Sequence, residues 1–379
     1  MLKTLRVVLL FALTFIVSIS AISTPQFARQ YNLECSSCHV HVPKLNAFGE
    51  EFVANNYQMK DRVSQSTLPL SVWLSQLSQT RQNAPEKINS IPNRIEFISA
   101  GHDEQTNTSY FIEWRALSLE ILSDGKIRDR SGRFEDIFVI FELPSDFQLQ
   151  VGQYRSLSQV DVSRRLSISE PLVFSSGLSG TSSNSSRLSS LRSFSPGGRS
   201  PSVRITHVKK APDSNEGLFS SLTIPFAGEL SVPLTDDAKT NASCELEGTP
   251  KGYFVESYYR KGLNSIGLNA FFGNNSRRYY GVVGQHHCND FFFSGGLARA
   301  EVAGSKDWRY SISGEWVPHH SFALGMRADH RDAGGHPTMF IPYFSYLQKN
   351  GKSAYKIQFE ARIRDNSFPQ FLIELGAMF

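Results

Sequence analysis

Glu34-Cys35-Ser36-Ser37-Cys38-His39 places two thiols three positions apart, with an imidazole directly after the second. At that spacing each thiol can add across one vinyl group of a haem. The histidine that follows is then held under the iron as its proximal ligand. Other chemistries fit less well. A redox-active disulfide of the Cys-x-x-Cys kind needs a thioredoxin-like βαβ setting, which the flanks lack. Half a zinc site needs a second pair of ligands, and no second Cys-x-x-Cys occurs. The expectation is one haem c, attached to Cys35 and Cys38, with His39 on the iron.

A low-spin electron-transfer haem usually has a second axial ligand. Met59 lies twenty residues after His39 and is the candidate distal ligand from this segment; a methionine there would raise the potential. A ligand from elsewhere in the chain, or none, is the alternative. His41 is too close in sequence to His39 to reach the opposite face and reads as solvent-facing.

The flanks read as helical. Thr24 can cap and Pro25 suits a first helical position, with Phe27 and Tyr31 four apart on one face. A second helix is expected from Pro43, with Leu45, Phe48 and Phe52 in one apolar stripe. That stripe would cover a haem face or pack on the first helix. Ahead of this lies a leader over 1–23: Lys3 and Arg6, then the eleven residues Val7–Val17 as an apolar core, then small residues. Eleven residues are too few to span a membrane, so this reads as a cleaved export signal. Export places the thiols where haem is attached and disulfides persist.

The 379 residues are 40% apolar and 12% aromatic, with a formal charge of +4. The aromatics exclude a disordered chain. The charge is not gathered into a basic run, which argues against a nucleic-acid partner. No stretch of 18 apolar residues follows the leader, which excludes a helical membrane protein.

From about residue 67 the hydrophobicity alternates with period two. Phe371, Ile373 and Leu375 fall opposite Gln370, Glu374 and Gly376. Tyr355, Ile357, Phe359 and Ile363 fall opposite Lys356, Gln358, Glu360 and Arg362. Trp308, Tyr310, Ile312 and Trp316 fall opposite Arg309, Ser311, Ser313 and Glu315. Sixteen strands are expected, over 70–82, 91–101, 107–121, 133–143, 146–154, 202–209, 217–230, 252–260, 264–272, 277–285, 290–301, 307–316, 320–330, 338–347, 353–363 and 368–379. A soluble β-sandwich also alternates. Aromatics at strand ends, aliphatics between them and a charged second face argue instead for a lipid-facing belt around a wet lumen. The predicted fold is mainly β: an antiparallel transmembrane β-barrel of approximately 16 strands (67–379), with a small helical haem c segment (24–66) plugging the lumen. Sixteen strands leave a wide channel that needs a plug.

The longest connection, about 155–201, is serine-rich. Arg164–Leu178 reads equally well as a loop folded into the channel or as an exposed one, and Ser179–Ser200 as disordered. Cys244 is expected in an outer loop and Cys288 in a periplasmic turn, too far apart for a disulfide. His286-His287-Cys288 is a weak metal set.

Taken together, an export signal, Phe27-Ala28-Arg29-Gln30, Cys35-x-x-Cys38-His39, Leu45-Asn46-Ala47-Phe48-Gly49, Asn56-Tyr57 and a barrel ending in Phe379 resemble the fused monohaem cytochrome–porins of the bacterial outer membrane. The resemblance implies haem attachment at Cys35 and Cys38 and proximal ligation by His39. It implies an electron-transfer oxidoreductase in outer-membrane lipid, moving electrons between an extracellular donor and a periplasmic cytochrome or other carrier. Part of that family oxidises Fe(II). Two other functions stand beside this one: a solute porin whose haem is structural or sensory, and a soluble periplasmic cytochrome with a β-sandwich.

Overall fold

The computed structural model describes residues 26–59, 68–81, 84–122, 125–156, 165–169, 171, 173, 199–211, 216–226, 252–273, 278–302, 305–332, 338–350, 353–364 and 368–379. The leader over 1–23, Thr24, Pro25 and Cys244 lie outside them, as does most of the serine-rich stretch.

The described residues begin with a small helical unit: α1 (Gln26–Gln30), α2 (Cys35–Cys38), a hairpin of β1 (His39–His41) and β2 (Lys44–Leu45), and α3 (Ala47–Ala54). Helix α3 starts four residues later than Pro43, where the sequence suggests. Asn46 is the reason: its side-chain oxygen accepts from the Gly49 N–H at 2.9 Å, an N-cap that sets the first turn. Pro43 sits instead in the bend of the β1–β2 hairpin.

All later strands form one sheet. They are β3 (Ser71–Arg81), β4 (Ala84–Asp103), β5 (Thr108–Ile121), β6 (Ile127–Asp129), β7 (Arg133–Leu143), β8 (Phe147–Arg155), β9 (Arg199–Lys210) and β10 (Glu216–Pro225). Then follow β11 (Gly252–Lys261), β12 (Asn264–Gly273), β13 (Arg278–Cys288), β14 (Phe291–Val302), β15 (Ser305–His319), β16 (Phe322–Arg331), β17 (Met339–Asn350), β18 (Ser353–Arg364) and β19 (Gln370–Met378). Each full strand pairs antiparallel with its neighbour, and β19 closes on β3 from Leu372↔Gln79 to Met378↔Trp73. β6 is a short return paired with the end of β5, which also pairs directly with β7. The result is a closed barrel of sixteen strands, as the alternation predicts. Closure into a single ring overturns the β-sandwich alternative, which needs two packed sheets.

β4 starts earlier than the sequence suggests because a bulge absorbs Pro92. Ser75 pairs with Arg94 and Gln76 with Pro92, so Asn93 is skipped. Its side-chain oxygen accepts the Ser75 hydroxyl at 2.8 Å. Proline inside a sheet is tolerated at such a bulge.

Tight turns collect at one end. Ser145 and Asp146 both have positive φ, 62° and 63°, in the three-residue connection closed by the Leu143↔Phe147 pair. The long connections after β8 and β10 leave the other end. The chain enters β3 and leaves β19 at the tight-turn end.

The outer surface is apolar. Leu268 is 66% exposed and Ile312 62% exposed, with Leu222, Leu297, Leu324 and Ile357 also facing out. Aromatics flank this band: Trp308, Phe340, Tyr253 and Tyr280 toward the long-loop end, and Trp316, Phe291, Tyr346 and Tyr259 toward the tight turns. Trp308 and Trp316 are eight residues apart on one strand, about 27 Å along it at the usual rise. At the usual strand tilt of about 35–45° this is about 20 Å of height, close to the apolar band of about 25 Å that lies between aromatic girdles. Inward positions are polar: Arg309, Glu315, Arg327, Asp329, Gln358 and Glu360 are all buried in the lumen.

Candidate functional site

The single turn α2 carries Cys35 and Cys38, neither in a disulfide. Asn46 clamps its end. The amide nitrogen of its side chain donates to the Ser36 and Ser37 carbonyls at 3.2 and 3.0 Å, and its backbone N–H donates to the Cys38 carbonyl at 2.9 Å. Gly49 lets α3 pack directly on this turn: a Cβ there would lie 2.2 Å from the Cys38 carbonyl oxygen. The Asn46 and Gly49 of the sequence motif are therefore the residues that hold α3 against the thiols.

His39 Nδ1 lies 2.9 Å from the Pro43 carbonyl oxygen. A carbonyl can only accept, so Nδ1 carries the proton and Nε2 keeps its lone pair. Burial pushes the imidazole pKa down, which keeps the ring neutral. A backbone carbonyl on the far nitrogen is the usual arrangement around a metal-binding histidine, because it fixes tautomer and ring orientation. Burial, and then Cys35, push the Cys38 thiol up to about 11, so it is protonated at neutral pH. Cys35, Cys38 and His39 are the residues that could hold a haem: two S–H groups for vinyl addition and one imidazole oriented by the Pro43 carbonyl. Among the described residues no group of three or more His, Cys, Asp or Glu side chains could hold a metal ion, so His286-His287-Cys288 forms no such cluster. Cys288 is exposed in the β13–β14 turn.

The unit lies across the tight-turn mouth of the lumen, held by inward side chains from most of the ring. Lys44 pairs with Glu315 of β15 and lies 4.4 Å from the Phe292 ring centre. Glu50 and Glu51 take Arg260 of β11 at 3.1 and 3.2 Å, and Glu51 also takes Lys210 of β9 at 2.8 Å. Asn56 donates to Glu142 of β7 at 2.9 Å and accepts the Ser109 hydroxyl of β5 at its carbonyl. The Gln26 N–H donates to Ser71 of β3 at 2.6 Å. Val42 packs on Leu347 of β17 and Ala354 of β18.

His41 corrects the sequence reading. It is buried, not solvent-facing. Its Nδ1–H donates to the His320 carbonyl at 2.8 Å, so Nε2 accepts the Ser345 hydroxyl at 2.7 Å. Burial first, and Lys356 second, lower its pKa to about 4, which keeps it neutral. The pattern of the chain gave no sign of this, because both partners lie more than 270 residues away.

The apolar stripe divides. Phe52 packs edge-on against Phe27 and Tyr31 of the first helical segment at 4.8 and 5.9 Å, while Phe48 stays exposed. Tyr57 stacks between Phe27 and Phe111 of β5 at 5.5 and 5.7 Å. It does so with φ of +64°, rare for so large a side chain. Met59 follows, its backbone met by the Tyr31 hydroxyl.

The connection after β8 folds inward where it is described. Leu166 is buried among Phe292, Ile341 and Tyr343. Arg327 donates to Ser167 and, at 2.9 and 2.8 Å, to the Ser169 carbonyl and hydroxyl. The Ser169 N–H donates to Glu360 at 2.9 Å. Of the two readings open for Arg164–Leu178, residues 165–169 and 173 take the inward one; Arg164 and residues 174–198 lie outside the described residues. Between plug, loop and the wall of β11–β15 remains a cavity of about 960 Å3, counting its open side. Serines and glycines such as Ser265, Gly284, Ser294 and Gly295 line much of it.

No family model and no curated protein matches the chain. Solved structures do. The anion-selective porin from Comamonas acidovorans matches with a TM-score of 0.51 at 10% identity, over 83% of this chain and 99% of that one. The outer membrane channel DcaP of Acinetobacter baumannii matches with a TM-score of 0.49 at 11% identity, over 82% and 96%. At such identity what is shared is the fold, and that fold is the porin barrel.

Proposed function

We propose that the plug of this outer-membrane barrel carries one covalent c-type haem on Cys35, Cys38 and His39, and that the chain passes electrons between a donor outside the cell and a carrier in the periplasm. The observation that carries this reading is the His39–Pro43 hydrogen bond beside two thiols in one helical turn. It makes Nδ1 the donor and leaves the lone pair on Nε2, next to the groups that would tether the ring. When bound, the haem supplies a one-electron couple. The chain's own residues would fix the imidazole, hold α3 against the attachment turn and keep the unit in the mouth of the barrel. Outer-sphere transfer needs no acid–base residue. Fe(II) enters as donor only through the resemblance, and Met59 is the plug's own candidate for the distal ligand.

The barrel alone favours a second reading. A solved structure of this fold is described as an anion-selective porin, and the lumen keeps a cavity lined by charged residues such as Arg260 and Arg327 together with apolar surface. A solute porin whose haem is structural or sensory fits those observations, and fits the comparisons better than electron transfer does. Purified protein in liposomes separates the two. Reduction of a trapped acceptor by an external donor, lost in the double variant Cys35→Ala, Cys38→Ala, supports the conduit. Swelling in sugars or amino acids with no electron transfer supports the porin. A haem stain of the outer-membrane fraction that finds no covalent haem removes the conduit altogether.

A further inference from the structure

We propose that the outside of the barrel binds the phosphorylated headgroup of an outer-leaflet lipid, through Arg278 of β13, Arg299 of β14 and Lys306 of β15. All of them lie at the long-loop end, which faces the cell exterior in barrels of this kind. They also share the lipid-facing side. Arg278 alternates with buried Tyr279, Arg299 with buried Ala298 and Ala300, and Lys306 with buried Asp307. The ladder sets them side by side: Glu301 is the register partner of both Arg278 and Lys306, and Trp308 is the register partner of Arg299.

The charges in this patch do not cancel. Arg299 takes Glu301 and lies 5.6 Å from the Trp308 ring centre, yet its Nε–H is buried without an acceptor. Arg278 and Lys306 are exposed and form no ion pair among the described residues. Asp332, just past β16 and beside Trp308, is held by His330 at 3.0 Å. Even with both carboxylates counted, the cations leave a positive excess. Long cationic side chains at a lipid boundary reach for the anionic headgroup layer. Tyr280 and Trp308 stand level with Arg299, where amphipathic rings meet headgroups. Toward the middle of the membrane, Leu297, Ile312 and Met326 of β14, β15 and β16 are exposed and offer a seat for acyl chains. A lipid satisfies both halves of this surface, whereas free phosphate satisfies only the charged one.

The test uses the full-length protein in detergent, with diphosphoryl lipid A as the probe and native mass spectrometry to count the lipids retained. Binding is expected to weaken at least about tenfold in the triple variant Arg278→Gln, Arg299→Gln, Lys306→Gln. Glu301→Gln removes the competing carboxylate and is expected to strengthen binding. Lys209→Gln, on the lipid side near the tight turns, is expected to change nothing. Barrel folding in each variant is read from the heat-dependent gel mobility, and Glu301→Gln carries the test should the triple variant fail to fold. The proposal is overturned by no retention in the unmodified protein, by equal retention in the triple variant, or by unchanged or weaker retention in Glu301→Gln. An equal loss in Lys209→Gln, or equal retention of the dephosphorylated lipid, overturns it as well. Displacement of the lipid by inorganic phosphate at equal concentration assigns the site to free phosphate and overturns the lipid.

Discussion

Glu50 of α3 and Arg260 of β11 lie 3.1 Å apart, both buried, with 210 residues between them. The pair joins plug to wall where water has been excluded. Arg260→Ala would strip the buried Glu50 carboxylate of this guanidinium, at a cost of up to about 3–5 kcal/mol to docking. The measurement is single-channel current in planar bilayers, expected to rise as the mouth opens, with faster proteolysis of α3. The double variant Glu50→Leu, Arg260→Leu is expected to cost less than Arg260→Ala alone, because no lone charge remains. Equal current in all three would show that the pair does not hold the plug.

Gly49→Val tests the contact between α3 and the attachment turn. Its first added carbon meets the Cys38 backbone oxygen at 2.2 Å, with no flexible side chain to move aside. Overpacking of this kind costs about 1–3 kcal/mol. The plug is expected to melt earlier than in the unmodified protein, read as near-UV circular dichroism of the Phe27, Phe52 and Tyr57 cluster. A transition at the unmodified temperature would count against the close packing.

The two sides of the wall should respond oppositely to one charge. Leu222 points outward, whereas its neighbour Ser221 points inward with Glu256 as its register partner on β11. Leu222→Arg is expected to destabilise the folded barrel by about 2–4 kcal/mol in lipid. Ser221→Arg should cost far less, since it meets a wet face and a carboxylate. Guanidinium unfolding in bilayers reads both, and similar losses would contradict the assigned facing.

Arg327 is expected to hold the inward loop. Its hydrogen bonds to Ser167 and Ser169 join a charged donor to neutral acceptors, about 1.5–3 kcal/mol each. Arg327→Ala should free residues 165–173 for proteolysis and widen the conducting path while leaving the barrel closed. Retained protection of the loop would mean that Leu166 and its apolar neighbours suffice.

Local patterns made much of this molecule legible. Period-two alternation predicts sixteen strands near their observed places, because every strand has one lipid face and one wet face. The Cys-x-x-Cys-His spacing singles out residues that the fold then brings together within one turn and one hairpin. The misses share a cause. The bulge that lets β4 run through Pro92 depends on Ser75 of the neighbouring strand. The burial of His41 depends on His320 and Ser345. The pairing of Lys44 with Glu315 joins residues 271 positions apart. None of these partners is within reach of a sequence window, and alternation says nothing of what fills the space it encloses.

Closure of the ring between β19 and β3 sets a timetable. The plug precedes β3, yet its anchors at Arg260, Glu315 and Ser345 come from strands more than two hundred residues downstream, and the ring is shut only when Leu372 to Met378 meet Gln79 to Trp73. Contacts at such separation form late, because the intervening chain must first be brought together. Lys44, Glu50 and His41 therefore remain undocked in the periplasm while the rest of the chain is exported. In that interval the Cys35 and Cys38 thiols are open to chemistry that the finished wall would obstruct. The barrel acts as a deadline for whatever happens at α2.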